Sequence, residues 1–355
     1  MASQRYIIIG AGLAGCLIAW RLEQAGQTVF LIGSTQLPGA SEVAGGIINP
    51  VTGRWMTKSW QFDECIHQAT STYRELEKQF AIECYYPIHF IRYCQNEADS
   101  KRIQRRMRNP RYANVLGNYT PVDKNQNMLT DTHGSFSIKQ AAYVKLPRLL
   151  QTLRDHFARQ GAFLDEIVNH HDLQQESPGW RYRDLKADHI LFCEGTGIRK
   201  NPWFNHLPLT PVKGETLTFQ CPTLKLPHTL YHRSKWLLPE DENHFRIGAT
   251  YDEHDLSETP SETGKQELIT SLQSFLAASH DIKIKQHTAG LRPCTRDFCP
   301  LIGSHPTLPG LHIFNGLGSK GTLLAPEMIR RFLAYLLEDQ PLDSAIDCKR
   351  YDADL

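Results

Sequence analysis

Apolar residues recur along the chain in two rhythms. Residues 6–9 form a short unbroken apolar run, the pattern of a strand buried on both faces. Residues 16–22 are mostly apolar, with Arg21, Glu23 and Gln24 supplying a polar side, and Gly26 stops the helix this predicts. A second strand follows over 28–32. Helical spacing returns over 64–80 through Ile66, Tyr73, Leu76 and Phe80, and over 143–160 through Leu146, Leu149, Leu150, Leu153 and Phe157. Strands are predicted over 162–168, 187–193 and 311–314, and helices over 267–278 and 322–337. Short or alternating runs over 88–93, 217–219, 229–232, 235–238 and 245–249 suit an antiparallel sheet. Nucleotide-fold elements thus stand at the start, middle and end, with antiparallel segments between them. That order implies two interleaved domains, a size that 355 residues can fill.

The first apolar strand runs into Gly10-Ala11-Gly12-Leu13-Ala14-Gly15. Strand, GxGxxG, helix and strand make a dinucleotide-binding βαβ unit. Gly10 permits the tight turn, Gly12 lets a pyrophosphate approach the backbone, and Gly15 lets the helix pack on the strand. The helix N-terminus then offers free N–H groups and a positive dipole end. An Asp or Glu that would hold the ribose hydroxyls is missing after the second strand, where Gly33 and Ser34 stand.

Lys+Arg total 39 against Asp+Glu 38, so no global field draws nucleic acid or an acidic membrane. A local basic run of Lys101, Arg102, Arg105, Arg106, Arg108 and Arg111 has two readings, a solvated helix face or loop and a contact for a polyanion such as RNA. No apolar stretch reaches the length of about 18 residues that a membrane helix needs. The Cys count of 9, scattered and without CxxC, reads as reduced thiols in the cytoplasm. No metal site is expected, since the histidines stand apart from the cysteines and HExxH is absent. A nucleophile elbow and a Walker A sequence are absent too. Arg5 followed by an apolar run ending Leu13-Ala14-Gly15-Cys16 also fits an exported, non-catalytic lipoprotein, a reading that leaves the second strand unexplained.

Several separated motifs resemble the D-amino-acid-oxidase superfamily of FAD flavoproteins, and within it the glycine oxidases, over nearly the whole chain. In that family the stretch from Gly10 to Gly15 binds the FAD pyrophosphate. Ala40-Ser41-Glu42-Val43-Ala44-Gly45-Gly46-Ile47 is similar to the loop that runs past the flavin. Val168 matches the position whose backbone faces the adenine, and Cys193-Glu194-Gly195-Thr196-Gly197 the strand end over the cofactor. Pro211-Val212-Lys213-Gly214-Glu215 is similar to a turn between the domains. Gly248-Ala249-Thr250-Tyr251 and Ser257-Glu258-Thr259-Pro260 follow the glycine-oxidase pattern. Ala289-Gly290-Leu291-Arg292-Pro293 places at Arg292 the residue that grips the substrate carboxylate, a task for which a guanidinium fork is suited. Gly316 to Thr322 resembles the last loop before the closing helix, with Gly318, Ser319, Lys320, Gly321 and Thr322 near the flavin.

The resemblance implies an α/β plus α+β fold, a Rossmann-like FAD-binding domain (1–80, 141–212 and 287–355) interleaved with a substrate domain on a mainly antiparallel sheet (81–140 and 213–286). It implies non-covalent FAD, since neither Cys294 nor Cys299 falls on the position that relatives use to attach flavin. Three positions depart from the glycine-oxidase pattern. Ser319 replaces an Arg, Tyr251 a Met and Trp236 a Tyr, which sets the pocket apart from one built for glycine itself. Trp236 and Tyr251 are expected as pocket walls. Three functions stay open. One is hydride transfer from the C–N bond of a small amino acid or N-substituted glycine to flavin, with imine hydrolysis and reoxidation by O2 or another acceptor. Another is removal of a carboxymethyl group from a modified tRNA wobble uridine, as in the FAD domain of a bifunctional enzyme that the chain also resembles. The third is the exported lipoprotein.

Overall fold

A computed structural model describes residues 3–36, 39–122 and 128–354. The opening apolar run forms strand β1 (Arg5–Ile9), whose last four residues are buried. Helix α1 (Leu13–Gln24) buries Cys16, the residue that lipoprotein cleavage would have to expose, against the sheet. Strand β2 (Thr28–Ile32) then returns parallel to β1. A two-stranded hairpin, β3 (Val51–Thr52) and β4 (Thr57–Lys58), precedes the amphipathic helix α2 (Phe62–Phe80). Strand β5 (His89–Tyr93) leads to helix α3 (Glu97–Met107), so much of the basic run is helical. The Asn96 side chain accepts from Asp99 N at its start, and acids in the first turn with Arg105 and Arg106 in the last complement the helix dipole.

Strands β6 (Leu116–Thr120) and β7 (Ser135–Ile138) follow, then helix α4 (Leu146–Arg159). The predicted start at 143 is too early. Ala142–Val144 is a buried strand, and Pro147 sets the first helical turn. Strand β8 (Phe163–Leu164) is shorter than predicted, because Asp165 leaves the ladder to take the backbone N–H and hydroxyl of Thr35. After strand β9 (His189–Phe192) come β10 (Leu209–Gln220), β11 (Thr229–His232), β12 (Trp236–Pro239) and β13 (His244–Gly248). Helix α5 (Glu262–Phe275) begins one turn before its predicted start, where the Ser261 side chain caps Gly264 N. Strands β14 (Lys283–Thr295), β15 (Leu301–Ser304) and β16 (Leu311–Asn315) and helix α6 (Gly321–Glu338) complete the fold.

A six-stranded sheet has the order β8-β2-β1-β9-β16-β15, parallel except for its last pair. An eight-stranded sheet has the order β14-β10-β13-β12-β11-β5-β7-β6, antiparallel except where β11 meets β5. The expected turn over 211–215 is wrong, since those residues lie inside β10 and pair with β14 from Pro211↔Pro293 to Glu215↔Ala289. The expected domain boundaries at 212/213 and 286/287 therefore fall within two long paired strands.

Helix α6 contains Pro326, which has no N–H to give the carbonyl of Thr322. The buried Tyr73 hydroxyl from α2 donates to that carbonyl at 2.8 Å and satisfies it. Tyr73→Phe is expected to cost ~1–3 kcal/mol by stranding this acceptor. In a Pro326→Ala background the restored amide takes over, and the same change should cost about 1 kcal/mol less. Urea unfolding of the four proteins in this cycle measures the coupling; an equal cost in both backgrounds refutes the exchange of donors.

Candidate active site

In the parallel sheet the chain order reverses between β1 and β9, and the crevice at that reversal is where open α/β sheets bind ligands. The C-terminal ends of β1, β2, β9 and β16 all open into one cavity of about 1210 Å3. That exceeds the ~300–1,000 Å3 of an ordinary small-molecule pocket and suits a dinucleotide with a substrate beside it.

The backbone closes on itself at this edge. Gly10 has φ +110°, and a Cβ there would lie 2.3 Å from the carbonyl oxygen of Cys193, so only glycine joins β1 to α1 so near β9. Beside it, the Ser41 hydroxyl accepts from Leu13 N at 3.1 Å, which ties the 40–47 loop to the start of α1. Arg154 of α4 grips the same turn. Its Nε and Nη2 donate to Ala11 O at 2.9 and 2.5 Å, and Nη2 reaches Glu42 Oε1 at 2.5 Å. Among the described residues Glu42 Oε2 is buried with no hydrogen-bond partner. Across the crevice, Glu194 is already engaged by His170 Nε2 and Asn201 Nδ2, both at 2.7 Å.

Nearly all the residues expected at the site line this one cavity: Gly10 to Ala14, Gly33, Ser34, Ser41, Ala44 to Ile47, Val168, Glu194, Gly195, Gly197, Trp236, Arg292 and Gly318 to Thr322. Gly15 and Tyr251 do not. Gly15 is packed beneath Gly10, where a Cβ would meet the Gly10 carbonyl. Tyr251 is 56% exposed, with its ring centroid 5.7 Å from Arg292 Cζ, and it covers the guanidinium from outside the cavity wall. Arg154 and Glu42 were missed as site residues. The available signal was Arg154 itself, a charged residue four positions after Leu150 on the apolar stripe of α4.

At the other end, Arg292 stands on β14 opposite Val212 of β10. Its Nη1 donates to Lys213 O at 3.1 Å and its Nη2 to Thr250 O at 3.0 Å. Gly214 makes room for it, since a Cβ there would lie 2.1 Å from Nη2. Among the described residues no carboxylate pairs with Arg292, and burial pulls its pKa below the usual arginine value. The Trp236 ring lies across the backbone at Gly45 and Gly248, so small residues on both sides seat it. Lys320, at the start of α6, has its pKa lowered by burial. Burial also raises the thiol pKa of Cys294. Among the described residues no group of three or more His, Cys, Asp or Glu side chains is placed to hold a metal, and no helix is long and apolar enough to cross a membrane.

Residues 5–333 match the DAO family, described as FAD dependent oxidoreductase. The glycine oxidase of Pseudomonas aeruginosa is 25% identical over 370 residues, covering 96% of each chain. The tRNA 5-methylaminomethyl-2-thiouridine biosynthesis bifunctional protein MnmC of Marinobacter nauticus is 25% identical over 359 residues, which take in 94% of this chain and 56% of that protein. Among solved structures, iminodiacetate oxidase (IdaA) from Chelativorans sp. BNC1 superposes with a TM-score of 0.81 at 20% identity, covering 96% of this chain and 98% of that one. That likeness shows the fold.

The cavity fits FAD on its own geometry. The glycine turn leaves no side chain between β1 and α1, the first turn of α1 offers N–H donors to a pyrophosphate, and the unmatched Glu42 Oε2 is an acceptor awaiting a donor. Arg154→Met would free the Ala11 carbonyl and strand Glu42 as an unpaired carboxylate in this cradle. FAD affinity, titrated by the quenching of flavin fluorescence, is expected to fall at least ~100-fold. Glu42→Gln in the same chain should recover part of the loss; undiminished affinity in Arg154→Met removes the pair from the cradle.

Proposed function

We propose, from the premise that the chain belongs to the DAO family of FAD-dependent oxidoreductases, that it oxidises the C–N bond of a small amino acid or N-substituted glycine. The observation that carries this reading is Arg292, a cavity-lining guanidinium with no carboxylate partner among the described residues. A guanidinium has five N–H donors, and two are spent on the carbonyls of Lys213 and Thr250. The remaining three suit a carboxylate, and the missing counter-charge makes an anionic ligand welcome where a neutral amine alone is not. On this reading residues 1–80, 141–212 and 287–355 hold FAD, and 81–140 and 213–286 bring Trp236, Ala249 and Leu256 to the substrate.

The chain's own groups bind and orient. Arg292 fixes the carboxylate, so the adjacent carbon and nitrogen take up one orientation in the cavity. Trp236 and Leu256 form apolar wall around that carbon and displace water from it. FAD, when bound, supplies the two-electron acceptor, and O2 or another acceptor reoxidises it. The dipole at the start of α6 and the ammonium of Lys320 favour negative charge at this end of the cavity. The exposed Ser319 supplies no second cation to a carboxylate, and Tyr251 lies outside the wall, so an N-substituted glycine suits this pocket better than glycine. The buried, raised-pKa thiol of Cys294 is a poor nucleophile, which supports non-covalent FAD.

Peroxide release and anaerobic flavin bleaching with glycine, N-methylglycine, iminodiacetate and D-alanine test the reading. Arg292→Ala is expected to lower kcat/KM for the carboxylate substrates by ~100-fold or more, mainly through KM, with Arg292→Lys intermediate. A flavin that no member of the panel bleaches, or an unchanged KM in Arg292→Ala, overturns it. Acid precipitation should leave the yellow colour in the supernatant; colour that stays with the pellet contradicts non-covalent attachment.

A further inference from the structure

One surface lies outside this account. The hairpin β3–β4 carries Arg54 and Trp55 at its tip, and Trp55 is 55% exposed. The Arg54 and Arg102 guanidinium carbons lie 4.9 and 5.0 Å from the indole centroid, one from the hairpin and one from α3. Arg106 Nη2 donates to Trp55 O at 2.7 Å and fixes the tip against the helix. Lys101 and Arg102 have carboxylate partners in Glu97 and Asp99. Arg54, Arg105, Arg106, Arg108 and Arg111 have none among the described residues. A chain with a formal charge of only +1 therefore gathers Arg54, Arg102 and Arg106 at one exposed indole, and follows them along and just after α3 with the exposed Arg105, Arg108 and Arg111.

This surface adjoins the cavity. Asn49 and Thr52 line that cavity, and Trp55 follows Thr52 by three residues, a reach of at most about 11 Å. The buried Arg92 holds the hairpin in place through Val51 O at 3.3 Å and Gly53 O at 2.9 Å. Its neighbour two positions back on β5, Phe90, is a cavity wall.

We propose that this surface docks a single-stranded segment of RNA and offers the cavity a group carried on that RNA. The proposal rests on the oxidation proposed above and names the carrier of its substrate. Unpaired arginines match a row of phosphates, and planar indole and guanidinium groups match unstacked bases, which a duplex hides. A polyglutamate peptide has no aromatic ring to stack on the indole and guanidinium groups. A membrane would call for more apolar surface than Trp55, the sole large exposed hydrophobic residue described on the hairpin and α3.

The test uses the full-length FAD-loaded protein and a fluorescein-labelled RNA stem–loop, with a fully paired RNA duplex, a polyglutamate peptide and vesicles of phosphatidylglycerol and phosphatidylcholine as competitors. Anisotropy is read at rising KCl. The stem–loop is expected to bind at least ~10-fold tighter than the duplex and to resist peptide and vesicles. Trp55→Ala should weaken it ~10-fold. Arg105→Gln, which leaves the indole untouched, should reduce the slope of log affinity against log salt by about 0.7. Both variants should oxidise free N-methylglycine at the wild-type rate. Absence of stem–loop binding, equal binding of the duplex, displacement by the peptide or vesicles, or indifference to Trp55→Ala would each overturn the proposal. RNA binding without oxidation of any N-substituted glycine would instead defeat the reading of the cavity and leave the docking surface standing.

Discussion

A partly buried guanidinium, Arg292, with no carboxylate beside it among the described residues is the tension around which the substrate end is built. Two nearby acids, Glu215 and Asp255, are already committed. Lys213, buried beside Arg292 in sequence register, takes Asp255 at 2.5 Å and Glu215 at 3.3 Å. Glu215 also accepts from His287 Nε2 at 2.6 Å and from the Ser261 hydroxyl at 2.7 Å. What remains for Arg292 is carbonyl oxygen from Lys213 and Thr250, which orients a cation without neutralising it. The full-length pairing of β10 with β14 keeps that orientation rigid. A partly desolvated charge of this kind is stabilised when an anionic partner arrives.

The same cavity treats Arg154 in the opposite way. Arg154 is matched by Glu42 and donates from Nε and Nη2 to the Ala11 carbonyl, so it shapes the cofactor end without adding net charge there. Attraction for a pyrophosphate then falls to backbone N–H groups and the dipole of α1. One end of the cavity reads an anion through the main chain and the other through a side chain. The two ligands are thereby sorted by shape and reach, since each end presents a different geometry of donors.

This contrast explains what the sequence disclosed and what it hid. Residues 6–32 were legible because each step there has a local cause: an apolar run, glycines where no Cβ fits, an amphipathic helix and a stop. The other glycine and arginine site residues came from the resemblance of separated motifs to one family, and the structure brings them to one cavity. Residues 211–215 of β10 resemble a family turn between domains, and Pro211 and Gly214 do not contradict one, since both are turn formers in isolation. Pairing with β14 along its whole length overrides them, and the Gly214 vacancy is filled by a side chain seventy-odd positions later in the chain. Lys213 and Glu215 also broke the apolar alternation that marks a buried strand, since each is buried by partners that local patterning does not reveal. The Tyr73–Thr322 bond and the Arg154–Glu42 pair join residues far apart in sequence, and nothing in either local segment announces the other.

Charge balance over the whole chain conceals a deliberate local imbalance. Inside, many acids and bases pair with each other, while Arg292, like Arg92 and Arg246, meets carbonyl oxygens and no carboxylate among the described residues. Outside, α3 pairs its first basic residues with Glu97 and Asp99 and leaves the later ones unmatched. The cavity and the hairpin are linked through a short stretch of backbone, for β5 presents Phe90 to the cavity and Arg92 to the hairpin that bears Trp55. Arg92 spends its donors on the carbonyls of Val51 and Gly53, so the hairpin is fixed by a buried cation and cannot drift from the cavity rim without stranding it. An anion-seeking interior and an arginine-rich exterior are therefore held in register by one strand and one turn, which makes their proximity a property of the fold.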